Sequence, residues 1–151
     1  MSADGLARFN ALPLTEARDR LLACCGSPTW AERMAAGRPY SSARDAARQS
    51  SAIVAMLTVA DLRAALGGDG RYGLPQGDEL TDGALAESVQ EYQRRFGHSY
   101  VVFIPGRTAV QHLALLQTRL RNAADSEWHV VRAELQKINA ACLQQLLAGS
   151  P

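Results

Sequence analysis

The sequence predicts an all-α fold, a compact bundle of about seven to nine helices with one short extended segment through it. Three observations lead there. Apolar residues recur at helical spacing along most of the chain. Start and stop signals (Ser, Thr or Asp before such stretches, Gly after them) divide it into helix-sized pieces. Only Tyr100-Val101-Val102-Phe103-Ile104 reads as a strand, and a lone strand closes no sheet.

Taken in order, Phe9-Asn10-Ala11-Leu12 forms a short lead-in, after which Thr15 caps a first long helix through Ala17, Leu21, Leu22 and Cys25, with Gly26 as its stop. Ser27-Pro28 opens a short helix that Gly37 ends, because proline tolerates the first helical position and serine accepts from the exposed amides. Ser42 with Asp45, and Thr58 with Asp61, have capping-box spacing and start two helices that meet at a corner near Leu57. Gly67-Gly68 ends the second, and Asp69 to Asp82 is rich in Gly, Pro and Asp, which predicts a surface loop. Such a loop is the place to look for function. From Thr81 or Asp82 a helix runs through Val89, Tyr92 and Phe96 to Gly97, and the apolar run follows, broken by Pro105-Gly106. Thr108 caps a helix carrying Leu113, Leu116 and Leu120, and Asp125 or Ser126 opens a last long helix with Val130, Leu135, Ile138 and Leu143.

Composition bounds the function. A chain of 151 residues with 47% apolar content supports one continuous core, so residues 1–151 are expected to form a single domain. The net charge of +1 gives no field for steering toward nucleic acid, which is not expected as a partner. No apolar run approaches the roughly 20 residues of a membrane span, and the N-terminus lacks signal-peptide character, so a cytoplasmic protein with no membrane partner is expected. Lys137 is the only lysine; the arginine bias points to a GC-rich, bacterial coding sequence more than to a function. Cys24, Cys25 and Cys142 match neither a zinc site nor a paired framework and are read as reduced thiols at apolar helical positions. His98, His112 and His129 have no ligand-spaced partner, and no metal site is expected. Trp30 and Trp128 are read as packing residues.

Several segments, in order, carry a resemblance: Phe9-Asn10; Cys25-Gly26-Ser27 with Trp30 and Met34; Arg38-Pro39-Tyr40; Gly70-Arg71-Tyr72-Gly73; Tyr92-Gln-Arg-Arg-Phe96-Gly97 and the apolar run; Gly106-Arg107-Thr108; Arg119-Leu-Arg-Asn122; Glu127; and Glu134-Leu-Gln-Lys137-Ile138. Together they resemble the 2-oxo-4-hydroxy-4-carboxy-5-ureidoimidazoline (OHCU) decarboxylases over almost the whole chain. The resemblance implies an all-helical fold, often a homodimer, and cofactor-free decarboxylation of a ureidoimidazoline to (S)-allantoin. That chemistry needs a pocket that holds a carboxylate out of the ring plane, receives the electrons left by carbon dioxide and protonates one face of the product.

The positions that would do so are altered. The family's His-Pro-Arg-φ-Gly motif, where φ is apolar, reads Asp69-Gly70-Arg71-Tyr72-Gly73, so Asp69 stands in place of the catalytic histidine. The family's Glu-Gln pair has no secure counterpart; Glu79 is the nearest carboxyl, with Glu87 on the next helix. Lys137-Ile138 is followed by Asn139-Ala140-Ala141-Cys142 in place of substrate-facing arginines. Aspartate titrates near 3.9 and histidine near 6.5, so donating a proton at neutrality would require roughly 4 kcal/mol of differential interaction at Asp69. An ionised base or an acceptor for substrate donors is its easier role. Asp69 and Glu79 are therefore the candidate catalytic residues, and Arg71, Tyr72, Val102, Phe103 and Arg107 the candidate substrate contacts. Against these stand plainer readings: a turn residue at Asp69, solvated or structural arginines at 71 and 107, and a buried core element at residues 100–104. Three functions remain open: an enzyme of shifted substrate, a true OHCU decarboxylase, and a non-catalytic binding protein.

Overall fold

The computed structural model describes residues 3–24, 26–66 and 77–148. Among these it contains eight helices and no strand: α1 (Ala3–Ala11), α2 (Leu14–Cys24), α3 (Pro28–Ala36), α4 (Ala43–Met56), α5 (Val59–Ala65), α6 (Glu79–Phe96), α7 (Ala109–Leu120) and α8 (Ala124–Leu147). The all-α architecture expected from the sequence is the one found.

The start signals act as their chemistry requires. Ser27, Ser42, Thr58 and Thr108 each accept a hydrogen bond from an amide in the first turn, and Thr58/Asp61 and Thr108/Gln111 complete reciprocal capping boxes. Gly97 ends α6 in the left-handed region at φ 75°, which favours glycine. Gly26 follows α2 for a packing reason, since a Cβ there would stand 3.1 Å from the Ala65 carbonyl oxygen.

Five expectations need correction. Thr15 does not cap the first long helix, since α2 begins at Leu14 and Thr15 lies inside its first turn. The lead-in around Phe9 is the end of a helix, α1, whose buried Phe9 anchors it to the core. α6 begins at Glu79 and not at Thr81 or Asp82, because Asp78 is the N-cap and accepts from the Thr81 amide at 2.7 Å; Glu79 thus lies in a first helical turn and not in a loop. α8 starts at Ala124 without a side-chain cap. Cys24 and Cys142 are not reduced thiols but a disulfide, with Cα atoms 5.6 Å apart. They lie 118 residues apart in sequence, and only the packing of α2 on α8 brings them together.

The core has two parts. Phe9, Leu21, Trp30, Met34, Val54, Leu62, Val131, Leu135 and Leu143 fill the space among α1 to α5 and α8. Leu85, Tyr92, Ala109 and Leu116 fill the interface of α6 with α7. The segment 100–104 runs between them. Successive residues of an extended chain point to opposite sides, so Val101 enters the first cluster while Tyr100 and Val102 enter the second. This explains an uninterrupted apolar run in a chain with no sheet.

Buried among α6, α7 and α8 is an ion pair. Arg119 meets Glu127 at 2.7 Å through Nη2 and donates at 2.6 Å from Nη1 to the Val101 carbonyl. Tyr92 donates its hydroxyl to Glu127, and Asn122 Nδ2 donates to Glu127 Oε1 at 3.2 Å. Burial opposes the Arg119 charge, but the bond to Glu127 and the electrostatic pull of Tyr100, Glu127 and Tyr92 together outweigh it and hold the guanidinium above its ordinary range. Burial, and then the carboxylate of Glu127, push the Tyr92 hydroxyl up, so it remains a donor. These side chains tie α6, α7 and α8 to one another and to the extended segment.

Two stability outcomes follow. Glu127→Ala leaves a buried guanidinium unpaired and should cost about 3–5 kcal/mol in urea denaturation, and a loss below about 1 kcal/mol would contradict the network's role. Reducing the Cys24–Cys142 bridge should cost about 2–4 kcal/mol, read by denaturation with and without dithiothreitol, because it frees a long loop in the unfolded chain.

Candidate functional site

Among the described residues a candidate site lies where the extended segment passes α8. Ile138, Ala141, Cys142 and Gln145 project from one face of α8, at the i, i+3, i+4 and i+7 spacing of a single stripe. Opposite stand Val102, Phe103, Ile104 and Pro105, and the two walls enclose an open cavity of about 240 Å³. The lining is mostly apolar. Gln145 brings an amide and Cys142 a sulfur, and the peptide groups of the extended wall are the other polar features.

The extended wall is held in part by charged side chains. Glu134 sits one helical turn before Ile138 and is buried, with Lys137 Nζ at 2.8 Å and Arg107 Nη1 at 3.6 Å. It also accepts from the Phe103 amide at 3.4 Å, while Arg107 Nη1 donates to the Phe103 carbonyl at 3.1 Å. Both peptide groups of Phe103 are thus held by a carboxylate and a guanidinium that pair with each other. At the next residue, His112 Nε2 donates to the Ile104 carbonyl at 3.0 Å; since a carbonyl only accepts, Nε2 must carry the proton. His112 is fully buried on α7, where its ring bonds the backbone.

The candidates from the sequence divide accordingly. Val102 and Phe103 line the cavity. Arg107 is partly exposed and engaged by Glu134 and by Phe103, so it shapes the wall. Glu79 is exposed at the start of α6 and is not among the described lining residues. Asp69, Arg71 and Tyr72 lie outside the described residues. Sequence reading passed over Glu134, Ile138, Ala141, Cys142 and Gln145 as site residues. Their signal was the helical stripe on α8, which by itself reads as one more core face. Of the other histidines, His98 is half-buried against Trp128, with ring centroids 4.5 Å apart, and burial lowers its pKa from the ordinary 6.5; His129 is exposed. Among the described residues no group of three or more His, Cys, Asp or Glu side chains is placed to hold a metal ion, and no helix is long and apolar enough to cross a membrane.

This all-helical arrangement has solved counterparts. A crystal structure of an OHCU decarboxylase in the presence of (S)-allantoin superposes with a TM-score of 0.79 at 23% identity, covering 86% of this chain and 98% of that one. A crystal structure of (S)-allantoin synthase gives 0.72 at 17% identity over 93% of this chain and 53% of that longer one. These matches establish the fold. No curated protein sequence matches the chain. The OHCU decarboxylase family model matches residues 10–71 and 69–144, and the chain belongs to that family.

The clamp on Phe103 can be tested directly. Glu134→Ala removes the acceptor of its amide and the partner of Arg107 and Lys137, so hydrogen exchange at the Phe103 amide should speed up by about tenfold. Unchanged exchange there would show that the segment is held by packing alone.

Proposed function

We propose that this chain is a cofactor-free enzyme of the OHCU decarboxylase fold whose chemistry has moved to another small cyclic or carboxylated metabolite. The observation that carries the reading is the cavity between residues 102–105 and α8. It is small enough to suit a single ring, and its described lining offers an amide and peptide groups where decarboxylation of an anionic ureidoimidazoline calls for acids and cations. Arg107, the nearest guanidinium considered from the sequence, is bound to Glu134 and to the Phe103 carbonyl. The sequence adds Asp69 in the histidine position, read as an ionised base or as an acceptor for substrate donors, with Glu79 as the second carboxyl and Arg71 and Tyr72 as further contacts. In this reading the protein works in the cytoplasm, as part of specialised bacterial metabolism, as a homodimer.

Family membership itself favours the second reading, a working OHCU decarboxylase in which Asp69 and Glu79 replace the usual pair. One assay separates the two. The ureidoimidazoline is generated in situ from urate by the two preceding enzyme activities, and (S)-allantoin formation is followed by circular dichroism against the spontaneous background. The shifted enzyme should give no acceleration, and Asp69→His should raise the rate above background if the remaining pocket still admits the compound. A native rate clearly above background would overturn the proposal in favour of the second reading. A pocket that binds ligands while neither protein turns any over would mark a binding protein on the same fold.

A further inference from the structure

The disulfide and the cavity meet at one residue. Cys142 lines the cavity and is bonded to Cys24 at the C-terminal end of α2. Both cysteines are half-buried, so the bridge is not sealed in the core and a small thiol can reach it. The facing wall is hydrogen-bonded by Glu134, Arg107 and His112. The α8 wall is tied to α2 through the sulfur that the cavity touches.

We propose that Cys24–Cys142 is a thiol–disulfide exchange site whose redox state sets the shape and chemistry of the cavity, with a dithiol as its reaction partner. The proposal rests on the reading above that the cavity is the ligand site. A thiolate of the dithiol attacks one sulfur of the bridge; the Cys24–Cys142 bond breaks as a mixed disulfide forms. The second thiol of the reductant then displaces the protein sulfur and leaves with its partner as a disulfide. Two electrons and two protons end on Cys24 and Cys142 as two thiols. Once the bond between them is broken, the sulfurs must separate to a non-bonded distance of about 3.5–4 Å. In a cavity of about 240 Å³ a wall atom moving that far changes what fits. Reduction also leaves a thiol, a weak donor and a potential nucleophile, on a wall where Gln145 is the other polar side chain among the described residues.

The test uses the full chain, oxidised and after dithiothreitol, with far-ultraviolet circular dichroism to confirm that both forms are folded. Amide shifts are compared between the two forms, and (S)-allantoin is titrated into each as the probe. The expected result is reduction without unfolding, shifts that reach Val102, Phe103, Ile104 and Ile138, and a dissociation constant that differs by about tenfold. Cys24→Ser, which leaves Cys142 a free thiol, should reproduce the reduced spectrum without reductant. A bridge that resists reduction until the protein unfolds, shifts confined to the residues flanking the two cysteines, or equal affinity in both states would each overturn the proposal. If (S)-allantoin binds neither form, as a shifted substrate allows, the amide shifts alone decide whether the bridge controls the cavity walls.

Discussion

An extended segment buried between helices, with no neighbouring strand, has to find partners for its peptide groups among side chains. Residues 100–104 are in that position, and the buried charge of this protein follows from it. The Val101 carbonyl takes the Arg119 guanidinium; the two sides of the Phe103 peptide take Glu134 and Arg107; the Ile104 carbonyl takes His112. Arg119 and Glu134 are expensive to bury alone, and each is placed where a second partner reduces the cost. Arg119 has Glu127, and Glu134 has both Arg107 and Lys137. In a sheet the same task would fall to a neighbouring backbone, with no constraint on side-chain identity. Here it falls on four positions spread over α7, α8 and the loop between the segment and α7.

The same economy appears at helix ends. Arg38 donates to the Phe9, Leu12 and Ala35 carbonyls, Arg132 to those of Val54 and Leu57, and Arg95 to that of Asn122. Carbonyls at or just beyond the ends of α1, α3, α4 and α7 thereby gain guanidinium partners, most of them from distant parts of the chain. An arginine-rich composition that reads from the sequence as codon bias therefore includes residues with definite structural work. Lysine could replace few of them, because one fork-shaped group reaches two or three carbonyls at once.

How much was legible follows from the range of the interaction involved. Thr58 with Asp61, Thr108, Ser27-Pro28 and Gly97 are local devices that act within one helical turn, and each was readable as the end of a helix. The start of α6 was misplaced because Asp78 competes with the nearby Thr81 and Asp82 for the capping role, and all three suit it. The bridge was missed because Cys24 and Cys142 have no local relation; only the packing of two helices reveals the pair. The site was legible in halves. Val102 and Phe103 were identified, whereas the α8 stripe carries no polar pattern to distinguish a cavity wall from a core face. Arg107 shows the limit from the other side, since an arginine after a glycine suggests anion binding and its bonds to Glu134 and Phe103 give it a structural task.

These constraints bear on what can vary. The wall formed by residues 102–105 is tied to the fold through Arg119, Glu134, Arg107 and His112, so its peptide groups cannot be moved without disturbing buried charge. The opposite wall is freer. Ile138, Ala141 and Gln145 can change on a helix whose other faces, through Leu135, Leu143 and Leu147, remain packed in the core, whereas Cys142 is bound to Cys24. Divergence on this frame is then expected to keep the extended wall as a fixed hydrogen-bonding support and to alter the α8 stripe, where a new side chain changes the cavity without disturbing buried charge.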